Sequence, residues 1–195
     1  ECGLRCPYHG WKFDVTGQCT EIPSEPDDSE FRKSVSLQAY SLIKVGDVLW
    51  AHMGDPENRP PEPKWEFITV TPEQTVTTKR WQECNWLQAL EGGIDSSHVS
   101  FLHSNELERD PLFKGAKANK YNLNDTKPVF DVTPSEGGLH IGVRRNVEEG
   151  KYYWRVTQWI MPCFTMIAPR ADHPQHGHFW VPIDDENCWT WSYDY

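Results

Sequence analysis

The residue types able to do chemistry are concentrated in Glu91-Gly-Gly-Ile-Asp95-Ser-Ser-His98-Val-Ser-Phe-Leu-His103, which places two histidines and two carboxylates within thirteen residues. Imidazole and carboxylate both bind divalent metals, and both exchange protons in water. The segment is therefore a candidate metal or acid–base site. Trp86, Leu90, Ile94 and Phe101 recur at roughly 100° per residue, which predicts one amphipathic helix running through the motif and docked on a core. On that helix Glu91, Asp95 and His98 share the adjoining stripe, with Glu91 one turn before Asp95 and Asp95 three residues before His98. His103 is out of step, because five residues turn a side chain by about 140° away from His98. For both rings to reach one metal the helix must bend. Gly92 and Gly93 weaken it, and Ser96, Ser97 and Ser100 can bond back to the backbone. The plainer alternative is a surface helix carrying two ordinary histidines.

A second cluster, Cys2, Cys6, His9 and Cys19, holds three of the six cysteines. Its spacing suits two metal sites. In one, all four side chains bind a structural zinc, which favours mixed thiolate and imidazole sets. In the other, Cys6 and His9 are half of a [2Fe-2S] site in which one iron has two Cys ligands and the other two His.

The string Cys6-Pro-Tyr-His9-Gly10-Trp11, continuing through Lys12-Phe13-Asp14 to Gly17, resembles the second ligand loop of Rieske proteins, in particular the Rieske non-heme iron oxygenases. That resemblance makes Cys2 and Cys19 non-ligands and places the first Cys-x-His pair upstream of Glu1. Asp95-x-x-His98-x-x-x-x-His103, with an acid at Glu91, resembles the mononuclear iron motif of the aromatic-ring-hydroxylating members, nearest to the phthalate and phenoxybenzoate dioxygenase group. By that resemblance His98 and His103 are two ligands of a 2-His-1-carboxylate Fe(II) site whose third ligand lies downstream of the chain. Asp95 and Glu91 are then the acids serving the site. Asp95 is expected to accept the N–H that His98 does not use for iron, leaving its other oxygen free for a cluster histidine, matching His9, of the neighbouring subunit in a ring-shaped trimer.

The resemblance further implies an alpha subunit that receives electrons from NADH through a reductase, with or without a ferredoxin, and uses O2 to oxidise an aromatic, carboxylated substrate. Ring cis-dihydroxylation is the first expectation, and O-demethylation or another monooxygenation the second. Two rivals are a Rieske electron carrier without oxygenase activity and a zinc-stabilised binding module built on Cys2, Cys6, His9 and Cys19.

The elements that must position these residues follow from composition and pattern. The 195 residues are 37% hydrophobic and 13% aromatic, with ten tryptophans, enough for a packed core. A net charge of −10 argues against a phosphate-neutralising surface and hence against a nucleic-acid partner. No apolar run approaches the roughly 18 residues of a membrane span and the N-terminus is not signal-like, so a cytoplasmic protein is expected. The chain begins at Glu1 inside a Cys-rich loop and stops at Tyr195 in a strand pattern, which reads as an internal piece of a longer protein.

The expected class is α+β: the C-terminal part of a small antiparallel β Rieske domain, residues 1–64, then the first part of a helix-grip catalytic domain, residues 65–195. The prolines between Asp55 and Lys64 make a stiff connector. Strands are expected over Val35–Ala39 and Val48–Met53, the second after a Gly46–Asp47 turn, and over Thr75–Thr78. A hairpin is expected from Leu139–Arg145 and Tyr152–Ile160, with further strands at Cys163–Ile167, His178–Ile183 and Cys188–Tyr195. Ser104–Lys127 reads as a polar loop over the site. His173, His176 and His178 read as a solvated loop, and Arg144 and Arg145 as exposed strand residues. Arg170 stays open as a carboxylate anchor.

Overall fold

The structure is a computed structural model that describes residues 3–109, 117–169 and 173–195. Cys2 and Arg170 lie outside the described residues. The chain divides into two compact units, Glu1–Pro63 and Lys64–Tyr195.

In the first unit, strands β1 (Leu4–Arg5), β2 (Lys12–Phe13) and β3 (Cys19–Glu21) form a small antiparallel sheet. The loop from β1 to β2 is closed by Cys6 N–H to Trp11 O at 2.8 Å and Gly10 N–H to Cys6 O at 3.0 Å. Gly10 takes φ +76°, a conformation that a side chain would disfavour. Strands β4 (Ser41–Val45) and β5 (Val48–His52) make the second hairpin. Its turn residues Gly46 and Asp47 both have positive φ, as a two-residue turn matched to strand twist requires. The first arm is displaced from the expected Val35–Ala39, where only Gln18 and Ser36 form an isolated bridge. Turn geometry fixed the register here, and the alternation upstream of it did not form a strand.

The second unit is built on a seven-stranded antiparallel sheet. Strand β6 (Val76–Gln82) is followed by helix α1 (Trp86–Ile94), then α2 (Ser104–Arg109) and α3 (Lys117–Asn124). Strands β7 (Val129–Ser135), β8 (Gly138–Glu148), β9 (Lys151–Ile160), β10 (Phe164–Met166), β11 (His176–Pro182) and β12 (Cys188–Asp194) complete it, in the order β6-β12-β11-β10-β9-β8-β7. The β8–β9 hairpin forms at the expected turn. Ser104–Lys127 is not simply a loop, since it carries α2 and α3, and β7 is a strand that the sequence pattern did not single out.

Helix α1 is capped by Asn85, whose side chain accepts Leu87 N–H at 2.9 Å. It packs across one sheet face: a Cβ on Gly93 would sit 2.9 Å from the Trp180 ring and 3.2 Å from Thr165 Oγ1. The opposite face carries an aromatic cluster. Phe67, in a 3-10 turn at Glu66–Ile68, stacks on Tyr193 with centroids 4.2 Å apart, while Phe164 and Phe179 lie 4.3 Å apart beneath Trp65. Aromatic pairs in such offset and tilted geometries add to the area they bury.

The single helix expected through the motif is not formed. α1 ends at Ile94, Asp95 is extended, and His98 opens a separate 3-10 turn, His98–Ser100. Leu90 keeps its place in the core at 2% exposure, but Phe101 is 66% exposed, because the helical period stops before it.

Candidate metal centre

The break after Ile94 is stabilised by the Asp95 side chain. Its Oδ1 accepts Ser97 N–H at 2.8 Å and Ser97 Oγ–H at 2.6 Å, and its Oδ2 accepts His98 N–H at 3.0 Å. These are the bonds by which a short carboxylate caps a new turn in place of continuing a helix. The same Oδ2 lies 3.0 Å from His98 Nδ1. Burial alone would raise the Asp95 pKa, but the Ser97 and His98 donors outweigh it and bring the carboxyl down to about 2. The expectation that one Asp95 oxygen stays free is therefore corrected, since Ser97 occupies Oδ1 twice.

The tight turn also removes the angular mismatch of His103. The two imidazole centroids come to 5.1 Å. His103 Nδ1 lies 2.7 Å from Glu106 Oε2. Each ring thus has a carboxylate on Nδ1, which favours the proton on that nitrogen and leaves the Nε2 lone pair available. Glu91 is not drawn in: it is exposed, its carboxylate accepts Gln88 Nε2–H at 3.3 Å, and it lies outside the cavity that the histidines line.

That cavity has a volume of about 440 Å³ and is lined by Asp95, His98, His103 and Glu106 from the motif, with Arg155, Thr157, His178 and Trp180 from the sheet. His178 and His176 are on β11, not in a solvated loop. Strand pairing placed them there, and Gly177 between them lets the Phe164 ring close on the other face, 2.8 Å from where a Cβ would be. His176 Nδ1 bonds Asp194, His176 Nε2 lies 2.9 Å from His178 Nε2, and His178 Nδ1 lies 2.9 Å from Ser192 Oγ. Burial first, then the charges of His176 and Arg80, push the His178 pKa down to about 3. His178 is therefore neutral at physiological pH.

In the first unit, Cys6 and His9 are both exposed and line one apolar cavity of about 950 Å³. Gly10 N–H and Trp11 O tie down the Cys6 backbone, while the His9 ring meets the Tyr8 ring edge-on. Cys19 is turned away and buried, with its thiol donating to Glu21 O at 3.5 Å. Among the described residues no set of three or more His, Cys, Asp or Glu side chains is gathered to hold a metal, so Cys6, His9 and Cys19 are not brought together; Cys2, the fourth member of the zinc set, lies outside the described residues.

Two family models match in register with these two loops: the Rieske [2Fe-2S] domain over residues 1–41 and the LigXa C-terminal domain like family over residues 51–193. The chain belongs to the Rieske aromatic-ring-hydroxylating oxygenase alpha subunits. It is 34% identical over 200 residues to the 3-chlorobenzoate-3,4-dioxygenase oxygenase subunit of Comamonas testosteroni, covering 98% of this chain and 46% of that one. It is 35% identical to the phthalate 4,5-dioxygenase oxygenase subunit of Pseudomonas putida, over 94% of this chain and 43% of the relative. A third relative, the 5,5'-dehydrodivanillate O-demethylase oxygenase subunit of Sphingobium sp. (strain NBRC 103272 / SYK-6), is 32% identical over 94% and 42%. The chain thus spans about half the length of the curated relatives it matches. Its fold is that of dicamba monooxygenase bound to dicamba, with a TM-score of 0.68 at 19% identity over 98% of this chain and 59% of that one.

The Rieske oxygenase residues fit the groups the family carries. Cys6 and His9 offer a thiolate and an imidazole to one exposed cavity. His98 and His103 offer two Nε2 atoms whose partner nitrogens are already held. Glu106 was missed in the sequence although His103-x-x-Glu106 repeats the spacing of Asp95-x-x-His98 in reverse. His178, Arg155 and Thr157 carry no local signal, because only strand pairing brings them to the cavity.

Proposed function

We propose that the whole protein is the oxygenase component of a multicomponent system that oxidises an aromatic, carboxylated substrate with O2 and electrons originating from NADH. In this reading Cys6 and His9 are half of the [2Fe-2S] ligand set, and His98 and His103 hold a mononuclear Fe(II) together with a carboxylate that is not among the described residues. The observation that carries it is the paired arrangement of Asp95 on His98 Nδ1 and Glu106 on His103 Nδ1 at the wall of one cavity. When bound, the iron supplies O2 activation with electrons delivered from the cluster. The chain's own residues keep the Nδ1 protons in place, exclude bulk water through the Trp180 and Val99 wall, and present neutral His178 to the substrate space.

Asp95 has the further role of electron bridge between His98 and a cluster histidine matching His9 in a neighbouring subunit of a trimer. An NADH-dependent reductase, directly or through a ferredoxin, is the proposed partner. Ring dihydroxylation is favoured by the two dioxygenase relatives, and the demethylase relative supports hydroxylation of a methoxy group as the second reading.

Iron and zinc analysis with electron paramagnetic resonance of the full-length protein tests this. Iron at two distinct sites is expected, with His98→Ala or His103→Ala losing the mononuclear iron and keeping the Rieske signal. Iron in the cluster alone would indicate a carrier, and zinc alone a binding module. O2 uptake across a panel of aromatic acids then identifies the substrate class.

A further inference from the structure

Arg145, on β8, is a fully buried cation at 0% exposure, where sequence pattern suggested an exposed strand residue. Among the described residues its guanidinium forms no ion pair, although the Asp125 and Asp95 carboxylates act on it from farther off. Nη2 donates to Ser96 O at 2.6 Å and lies 3.4 Å from Ser100 Oγ, and Nε donates to Asp125 O at 3.1 Å. Nη1 has no hydrogen-bond partner among the described residues. Burying a charge against mostly neutral acceptors is costly, so a shorter or apolar residue would serve packing alone better.

The geometry gives that cost a use. Ser96 O and Ser97 N belong to one peptide plane, and the two ends of that plane are held by opposite charges: Arg145 takes the carbonyl and Asp95 Oδ1 takes the N–H at 2.8 Å. A peptide polarised at its oxygen is a stronger donor at its nitrogen. Arg145 also reaches Asp125 just beyond α3 and Ser100 within the 3-10 turn, so one planar group ties the motif to the sheet and to α3. Ser100 in turn donates to Asn122 O at 2.6 Å. A lysine ammonium cannot span both carbonyls, because it lacks the planar fork.

We propose that Arg145 is a positioning residue for the mononuclear site: through the Ser96–Ser97 peptide it sets the Asp95 carboxylate on His98 Nδ1 and so fixes the direction of His98 Nε2. The proposal rests on the reading of His98 and His103 as metal ligands. Loss of a group that orients a metal-bound histidine lowers metal affinity by roughly 10–100-fold.

The test is calorimetric titration of Co(II) into full-length protein stripped of mononuclear iron, with the Rieske absorption and a thermal melt recorded for each variant. Wild type should bind one Co(II) and His98→Ala none; a wild type that binds none sinks the metal reading itself and the positioning role with it. Given normal wild-type binding, Arg145→Lys should bind Co(II) at least tenfold more weakly with the Rieske absorption unchanged. Val143→Ala, on the same strand and equally buried, should melt earlier yet bind within twofold of wild type. A folded Arg145→Lys that binds like wild type overturns the proposal. So does a Val143→Ala that loses affinity in step with its melting temperature. If Arg145→Lys does not fold, Ser100→Ala removes one of the guanidinium contacts and should weaken Co(II) about threefold; unchanged affinity there overturns the proposal equally.

Discussion

At the scale of single residues, charge and hydrogen bonding at Asp95 and His178 set the behaviour of the cavity. Asp95→Asn keeps the shape of the side chain but replaces an acceptor by a donor at one atom, so it cannot serve both Ser97 and His98 as the carboxylate does. The variant should bind mononuclear iron more weakly but keep a reducible cluster and, once loaded with iron, oxidise the cluster far more slowly in a single turnover with substrate and O2. Near-normal cluster oxidation would remove the bridge role. His178 gives a pH prediction. Its folded pKa of about 3 lies below the ordinary 6.5, so between those values the unfolded chain takes up a proton that the folded chain refuses. Its contribution is fully present above pH 6.5 and is lost as the pH falls towards 3, with a slope of at most about 1.4 kcal/mol per pH unit. Urea unfolding of full-length wild type and His178→Gln between pH 7.5 and 4.5 should show a shallower fall in the variant. Parallel pH profiles would exclude His178 as the group responsible.

At the scale of elements, α1 carries two adjacent glycines with opposite expected effects. A Cβ at Gly92 meets nothing within 4 Å, so Gly92→Ala should stabilise by about 0.5–1 kcal/mol through helix propensity. A Cβ at Gly93 would press on Trp180 at 2.9 Å, so Gly93→Ala should destabilise by about 1–3 kcal/mol and move α1 off the sheet. Because Asp95 follows directly, the second variant should also weaken metal binding. Chemical denaturation of the two variants separates them by sign, and equal shifts would contradict the close helix–sheet contact. The element boundaries show how far local signals reach. The Gly46–Asp47 turn was legible because such a turn is decided by a few neighbouring residues. The end of α1 at Ile94 was not, because there the Asp95 carboxylate competes with the helix by capping a new turn.

At the scale of the whole molecule, the two faces of the large sheet divide the labour. One face carries the cavity, and the other is sealed by the Phe67 turn, with Phe67 3% exposed and stacked on Tyr193. Phe67→Ala should cost about 3–5 kcal/mol, since the void lies between rigid rings that cannot collapse into it. Equilibrium unfolding of the full-length variant would measure it, and a loss below about 1 kcal/mol would mean that the turn is not part of the core. The cavity wall opposite Phe67 should be unaffected in its Co(II) affinity, provided the sheet register holds.

The residue types and spacing of the two candidate loops, the α+β class and the order of the loops were determined by the sequence alone, because each rests on residues close together in the chain. Cys6 with His9, and Asp95 with His98, are separated by a single turn or loop, and local backbone rules suffice to relate them. The tertiary structure decided which other residues join them. Arg155, Thr157 and His178 reach the cavity only through the register of β9 and β11, which is set by pairing along the entire sheet. Arg145 is buried because its acceptors come from Ser96, Ser100 and Asp125, in segments separate from β8, which together replace the water a guanidinium would otherwise keep. No pattern within β8 distinguishes it from the half-buried Arg144, whose guanidinium instead lies over the Tyr152 ring.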